Sequence, residues 1–89
     1  MTTQLHHRQL VEHGALLLDV RTPEEFASEH VPRALNIPVQ VLAERVHECG
    51  PTTRPIVVYC RSGGRSAAAC AILRRAGYEV RDIGPMTAW

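Results

Sequence analysis

The chain has 89 residues, of which 45% are hydrophobic and 21% charged, and its formal net charge is +1. That length and mix suit one compact globular domain over residues 1–89 and leave little room for a second. The near-neutral balance argues against bulk electrostatic capture of nucleic acid or an anionic membrane, and no run is long and apolar enough to cross a bilayer or to act as a secretory signal.

A polar stretch with Leu5, Leu10 and Val11 reads as a first helix over 3–13, stopped near Gly14. Residues 15–20 form a short apolar run that suits a strand buried on both faces. Thr22-Pro23-Glu24-Glu25 then opens a helix: Thr22 caps, Pro23 fits the first turn, and Glu25 reaches back to the cap amide. It ends by His30, because Pro32 disfavours helical geometry at Val31. Leu35-Asn36-Ile37 reads as a second strand. The next helix presents Val39, Leu42, Val46 and Cys49 on one face and stops at Gly50-Pro51.

Ile56-Val57-Val58-Tyr59-Cys60 is the clearest strand. It leads through a glycine turn into a helix over 64–76, where Ala67, Ala68, Cys70 and Ala71 are small enough for close approach to a sheet. Residues 79–83 form a last strand, and 84–89 read as a tail. Strands alternating with helices imply an α/β fold: a small parallel sheet of four to five strands, with helices on both faces. Ligands in such sheets bind beyond the carboxyl ends of the strands, which is where Cys60 lies.

The chemistry concentrates in Cys60-Arg61-Ser62-Gly63-Gly64-Arg65-Ser66. A tight turn from strand to helix points backbone N–H groups inward, toward the sulfur. Gly63 and Gly64 allow the backbone angles that such a nest needs. The helix N-terminus is positive, and Arg61 and Arg65 add fixed charges. An ordinary cysteine titrates near a pKa of about 8.5, and each of these features favours its thiolate. Ser62 and Ser66 are further donors. The same nest would hold an anionic donor or a terminal persulfide sulfur.

This loop resembles the active-site loop of the rhodanese-like sulfurtransferases. Leu17-Leu18-Asp19-Val20-Arg21 with Glu24-Glu25-Phe26 is similar to the family's first signature. His30-Val31-Pro32-Arg33-Ala34-Leu35-Asn36-Ile37-Pro38 is similar to its second, and Gly84-Pro85-Met86-Thr87-Ala88-Trp89 to its C-terminal one. The resemblance covers nearly the whole chain. It implies a thiosulfate sulfurtransferase without metal or organic cofactor. Cys60 takes a sulfane sulfur from thiosulfate or a persulfide donor and passes it to cyanide or a thiol acceptor, including a thiol protein. The amides from Arg61 to Ser66 cradle the persulfide, and Arg61 and Arg65 orient the donor. Three departures stand out. Arg33 replaces a common glycine, so that turn is expected to be built differently. Pro85 replaces a second glycine, and Gly64 fills a position that is often larger, which loosens the cradle. The short N-terminal segment favours four strands.

A phosphatase or arsenate reductase is the rival enzyme, but those relatives carry one residue more between cysteine and arginine. The four residues between Cys60 and Arg65 build a smaller ring of amides, better suited to one sulfur than to a tetrahedral oxyanion. The rival of another class is a non-catalytic module or a protein-to-protein sulfur carrier. Asp19 and Arg21 follow a buried strand at the same edge, where they support the loop or simply fix their own turn. Cys49 and Cys70 read as core. The odd count of three cysteines does not suit a disulfide framework, and a reduced, cytoplasmic setting is the default. His6, His7 and His13 lack ligand geometry and read as solvated, not as a metal site. Trp89 packs on the fold or borders the active-site mouth. Glu24, Glu25 and Glu29 read as capping and surface charge.

Overall fold

The computed structural model describes residues 5–89. The elements run α1 (His7–Glu12), β1 (Leu16–Asp19), α2 (Pro23–Ser28), β2 (Leu35–Asn36), α3 (Val39–Arg45), β3 (Ile56–Cys60), α4 (Gly64–Arg75) and β4 (Val80–Pro85). A 3-10 turn, Val46–Cys49, extends α3, and another, Met86–Ala88, follows β4. The expected start of α1 at Thr3 lies outside the described residues.

The strands form one all-parallel sheet in the order β2-β1-β3-β4. Four strands are present among the described residues, the lower of the two expected numbers. The alternation of side chains along β1 and β3 divides the core. Leu18, Val20, Ile56, Val58 and Cys60 face α3 and α4, packing with Ile37, Leu42, Cys49, Ala69, Cys70 and Leu73. Leu17, Val57 and Tyr59 face the other way, against Leu10 of α1, Val31 and Trp89. Both faces are therefore covered, and all five residues of β3 are buried.

Several local expectations change. The small residues that let α4 approach the sheet are Ser66, Ala69 and Cys70, whereas Ala67, Ala68 and Ala71 point to solvent. The stretch 84–89 is not a tail. Gly84 and Pro85 extend β4 beside Tyr59 and Cys60, and Trp89 joins the second core face. Val31 accepts a hydrogen bond from the Ala34 amide at 3.1 Å, and Arg33 adopts φ 76°, the left-handed angle. This is a type II turn with Pro32 in its favoured place and a side chain where glycine fits best. The side chain at this angle carries a local cost.

Candidate active site

Parallel pairing brings every strand's carboxyl end to one edge. There β1 delivers Asp19 and Arg21, β3 delivers Cys60, and β4 delivers Met86 and Thr87, because Cys60 pairs with Pro85. The turn after Cys60 closes on its own sulfur. The Gly63 N–H donates to Cys60 Sγ at 2.9 Å, and Gly63 adopts φ 107°, which only glycine accepts without strain. Ser66 is fully buried and its hydroxyl donates to the Gly63 carbonyl at 3.0 Å. That hydroxyl also favours the Cys60 thiolate; with one proton to give, it serves either acceptor at a time.

Burial pushes the Cys60 thiol up, but the Ser66 hydroxyl and the N–H groups of Ser66, Gly63 and Ser62 outweigh it, so the thiol lies below its ordinary value. The other two cysteines go the opposite way. Burial raises Cys49, and it raises Cys70 to about 11. All three are free thiols. Only Cys60 combines a favoured thiolate with a position at the carboxyl edge of the sheet. Cys60 is itself 0% exposed, and its sulfur is held by the loop that follows it.

The arginines have separate fates. Arg65 makes a two-pronged ion pair with Glu25, at 2.6 and 3.0 Å, joining the first turn of α4 to the first turn of α2. Glu25 performs its expected capping of Thr22 as well. The Arg65 guanidinium, then the Thr22 amide, hold the Glu25 carboxyl down at about 2. Arg65 is raised chiefly by Glu25, with the Cys60 thiolate adding a smaller share. Its charge thus acts on Cys60 through space while its hydrogen bonds go to Glu25.

Arg21 and Asp19 form a buried pair at 2.7 Å. Arg21 also donates to the Glu29 carbonyl at 2.6 Å and lies 5.6 Å from the Tyr59 ring centre. Its hydrogen bonds secure the end of α2 and the β1 turn, and none among the described residues reaches 61–66. Arg61 is exposed and makes no hydrogen bond or ion pair among the described residues.

Beside the loop opens a cleft of about 560 Å³, lined by Arg21, Glu24, Glu25, Ser28, Glu29, Arg61, Met86 and Thr87. The α2 wall was not expected from the sequence, although Glu24, Glu25 and Ser28 have the spacing of one helical face; Glu29 joins them from the extended residue after the helix. Met86 and Thr87, which a longer β4 carries here, were not expected either. Gly64 has no heavy atom within 4 Å of where a Cβ would stand, so nothing packs against it. Trp89 does not border this cleft. Its carbonyl accepts from Arg8 at 2.7 Å, and its ring lies under the Arg8 guanidinium on another face. Of the histidines, His6 caps α1, His7 tilts against Trp89, and His13 bonds the Gln9 carbonyl.

Residues 2–89 match the family model of the rhodanese-like domain. The chain is 48% identical over 76 residues to a sulfurtransferase of Allochromatium vinosum, covering 83% of this chain and 70% of that relative. It is 42% identical over 69 residues to thiosulfate sulfurtransferase PspE of Escherichia coli, covering 75% of this chain and 66% of the relative. Among solved structures, a rhodanese with anions from E. coli superposes with a TM-score of 0.78 at 35% identity, over 85% of this chain and 92% of the other. A human single-domain sulfurtransferase gives 0.77 at 30% identity, over 93% and 85%.

Proposed function

The chain belongs to the rhodanese-like family, and from that premise we propose that it is a sulfurtransferase working through a Cys60 persulfide. The Cys60 thiolate attacks the outer sulfur of thiosulfate. The S–S bond of the donor breaks, sulfite leaves with the electron pair, and the sulfane sulfur stays on Cys60. An acceptor, cyanide or a thiolate, then attacks that outer sulfur, and the electron pair of the breaking bond restores the Cys60 thiolate. The two half-reactions give ping-pong kinetics.

The observation that carries this reading is the ring around Cys60: a favoured thiolate at a strand end, enclosed by its own loop amides. The shared family of the two curated sulfurtransferases supports the reaction class, and the E. coli relative's name supports thiosulfate as donor. The loop spacing weighs against phosphate or arsenate chemistry. Asp19, Arg21 and Glu25 frame the site; Arg61 meets the donor, with Arg65 contributing its charge from the Glu25 pair. A single rhodanese-like unit in a reducing compartment suffices for these steps.

Intact mass spectrometry after thiosulfate, and again after cyanide, tests the proposal. One sulfur gained and then lost is the expected result, with Cys60→Ser gaining none. A reduced, folded protein that gains no sulfur from thiosulfate or from an inorganic polysulfide would overturn it.

A further inference from the structure

The charges that line the cleft are not those of a simple anion site. Arg21 is committed to Asp19, and Arg65 to Glu25. Once these pairs are removed, three unpartnered charges remain among the described residues of the wall: Arg61, and the carboxylates of Glu24 and Glu29. Arg61 adjoins Cys60. Glu24, in the first turn of α2, and Glu29, the extended residue that follows α2, are exposed and line the same space. Among the described residues the cleft is therefore lined by one free cation, which follows the reactive Cys60 in the chain, and by two free carboxylates. The volume of about 560 Å³ is that of a small-molecule site, far more than thiosulfate fills.

We propose that this cleft selects, as the sulfur acceptor, a small thiol that carries an ammonium group. The inference rests on the sulfur-transfer reading above. The thiolate approaches Cys60 past Arg61, while the ammonium lies along Glu24 and Glu29. A thiol with a carboxylate in place of the ammonium meets two negative charges on the same path. In the transfer step the acceptor thiolate attacks the outer sulfur of the Cys60 persulfide. The sulfur–sulfur bond breaks, its electron pair returns to Cys60, and the acceptor leaves as a persulfide. Electrons and charge balance without a further reductant. Ser28 and Thr87 offer hydroxyls on the way, and Met86 offers an apolar contact.

The test separates loading from discharge. The protein is first loaded with sulfur from thiosulfate or inorganic polysulfide and checked by intact mass. It is then discharged with cysteamine, β-mercaptoethanol or thioglycolate, and each rate is expressed per thiolate present. Cysteamine should exceed thioglycolate by about tenfold at low salt, with β-mercaptoethanol between them, because two carboxylates act at close range. High salt should shrink the ratio. The Glu24→Gln/Glu29→Gln double variant should shrink it too, and the same variant should load faster from the thiosulfate dianion. Neither side chain has a partner to lose among the described residues, and successful loading doubles as the check of folding. A loaded protein that discharges to all three thiols alike, or a ratio unmoved by the double variant, overturns the inference and leaves the sulfur-transfer reading standing. A folded protein that loads from neither donor overturns both.

Discussion

Arg33→Gly should make this protein more stable. Arg33 holds φ 76° at the third position of the Val31–Ala34 turn. A side chain there crowds the following carbonyl oxygen, at a cost of about 1–2 kcal/mol. Glycine removes that cost but gives the unfolded chain more freedom, which takes back about 0.4–1 kcal/mol. The net gain is about 1 kcal/mol. For a chain of this size that raises Tm by about 4–8 °C. Arg33 is exposed and its side chain makes no hydrogen bond among the described residues, so little else is lost. Arg33→Ala is the control: it removes the same side chain, keeps the strained angle, and should stay within about 0.5 kcal/mol of the parent. Circular-dichroism melts and urea titrations of the three proteins give the comparison, with an unchanged m value certifying that stability alone moved. If glycine and alanine behave alike, the left-handed angle is not what costs stability, and the argument fails. Sulfur loading of Cys60 should be the same in all three.

Iodoacetamide alkylation followed against pH should show Cys60 titrating below an ordinary thiol, with Cys49 and Cys70 silent near neutrality; Ser66→Ala should move the Cys60 midpoint upward, and an unmoved midpoint would remove the hydroxyl from the account. Glu25→Gln keeps the capping geometry, which glutamine also satisfies, but discharges the pair with Arg65. Because the Glu25 carboxyl sits at about 2 in the fold against 4.5 ordinarily, the pair's contribution is complete above 4.5 and is lost as pH falls toward 2. Urea melts should therefore show a loss of about 1 kcal/mol or less at pH 7, narrowing steadily in acid; a gap that does not depend on pH would contradict this. Gly63→Ala should cost more than about 1 kcal/mol, since φ 107° resists a side chain, whereas Gly64→Ala, with open space around its Cβ, should gain about 0.4–1 kcal/mol. Equal effects at the two positions would show that the angle at Gly63 does not matter.

Much of the site was legible because its physics is local. Thr22-Pro23-Glu24-Glu25 is a capping box read from four adjacent residues, and the structure has both of its hydrogen bonds. The run Ile56–Cys60 is a strand because it is branched and apolar, and the Gly63 turn follows because a helix must start within a few residues. The nest around Cys60 is assembled from that one segment, so its donors could be named in advance. Gly84 and Pro85 were harder. Their place in β4 depends on pairing with Tyr59 and Cys60, and nothing in a Gly-Pro dipeptide announces a strand.

By itself, then, the sequence determined the order of elements, the α/β class, and Cys60 as the residue to which loop amides and a helix end converge. Backbone preference and hydrophobic alternation act over a few residues, and those few residues are contiguous. The tertiary structure alone decided what the charges do. Arg65 meets Glu25 across 40 residues of chain, Arg21 turns to Asp19 and the end of α2, and Arg61 shares a cleft with two carboxylates that, like it, have no partner among the described residues. It alone decided that Cys60 lies fully covered at rest. Ion pairing and burial depend on which distant surfaces packing brings together, and a charge counted along the chain carries no record of the partner that will neutralise it.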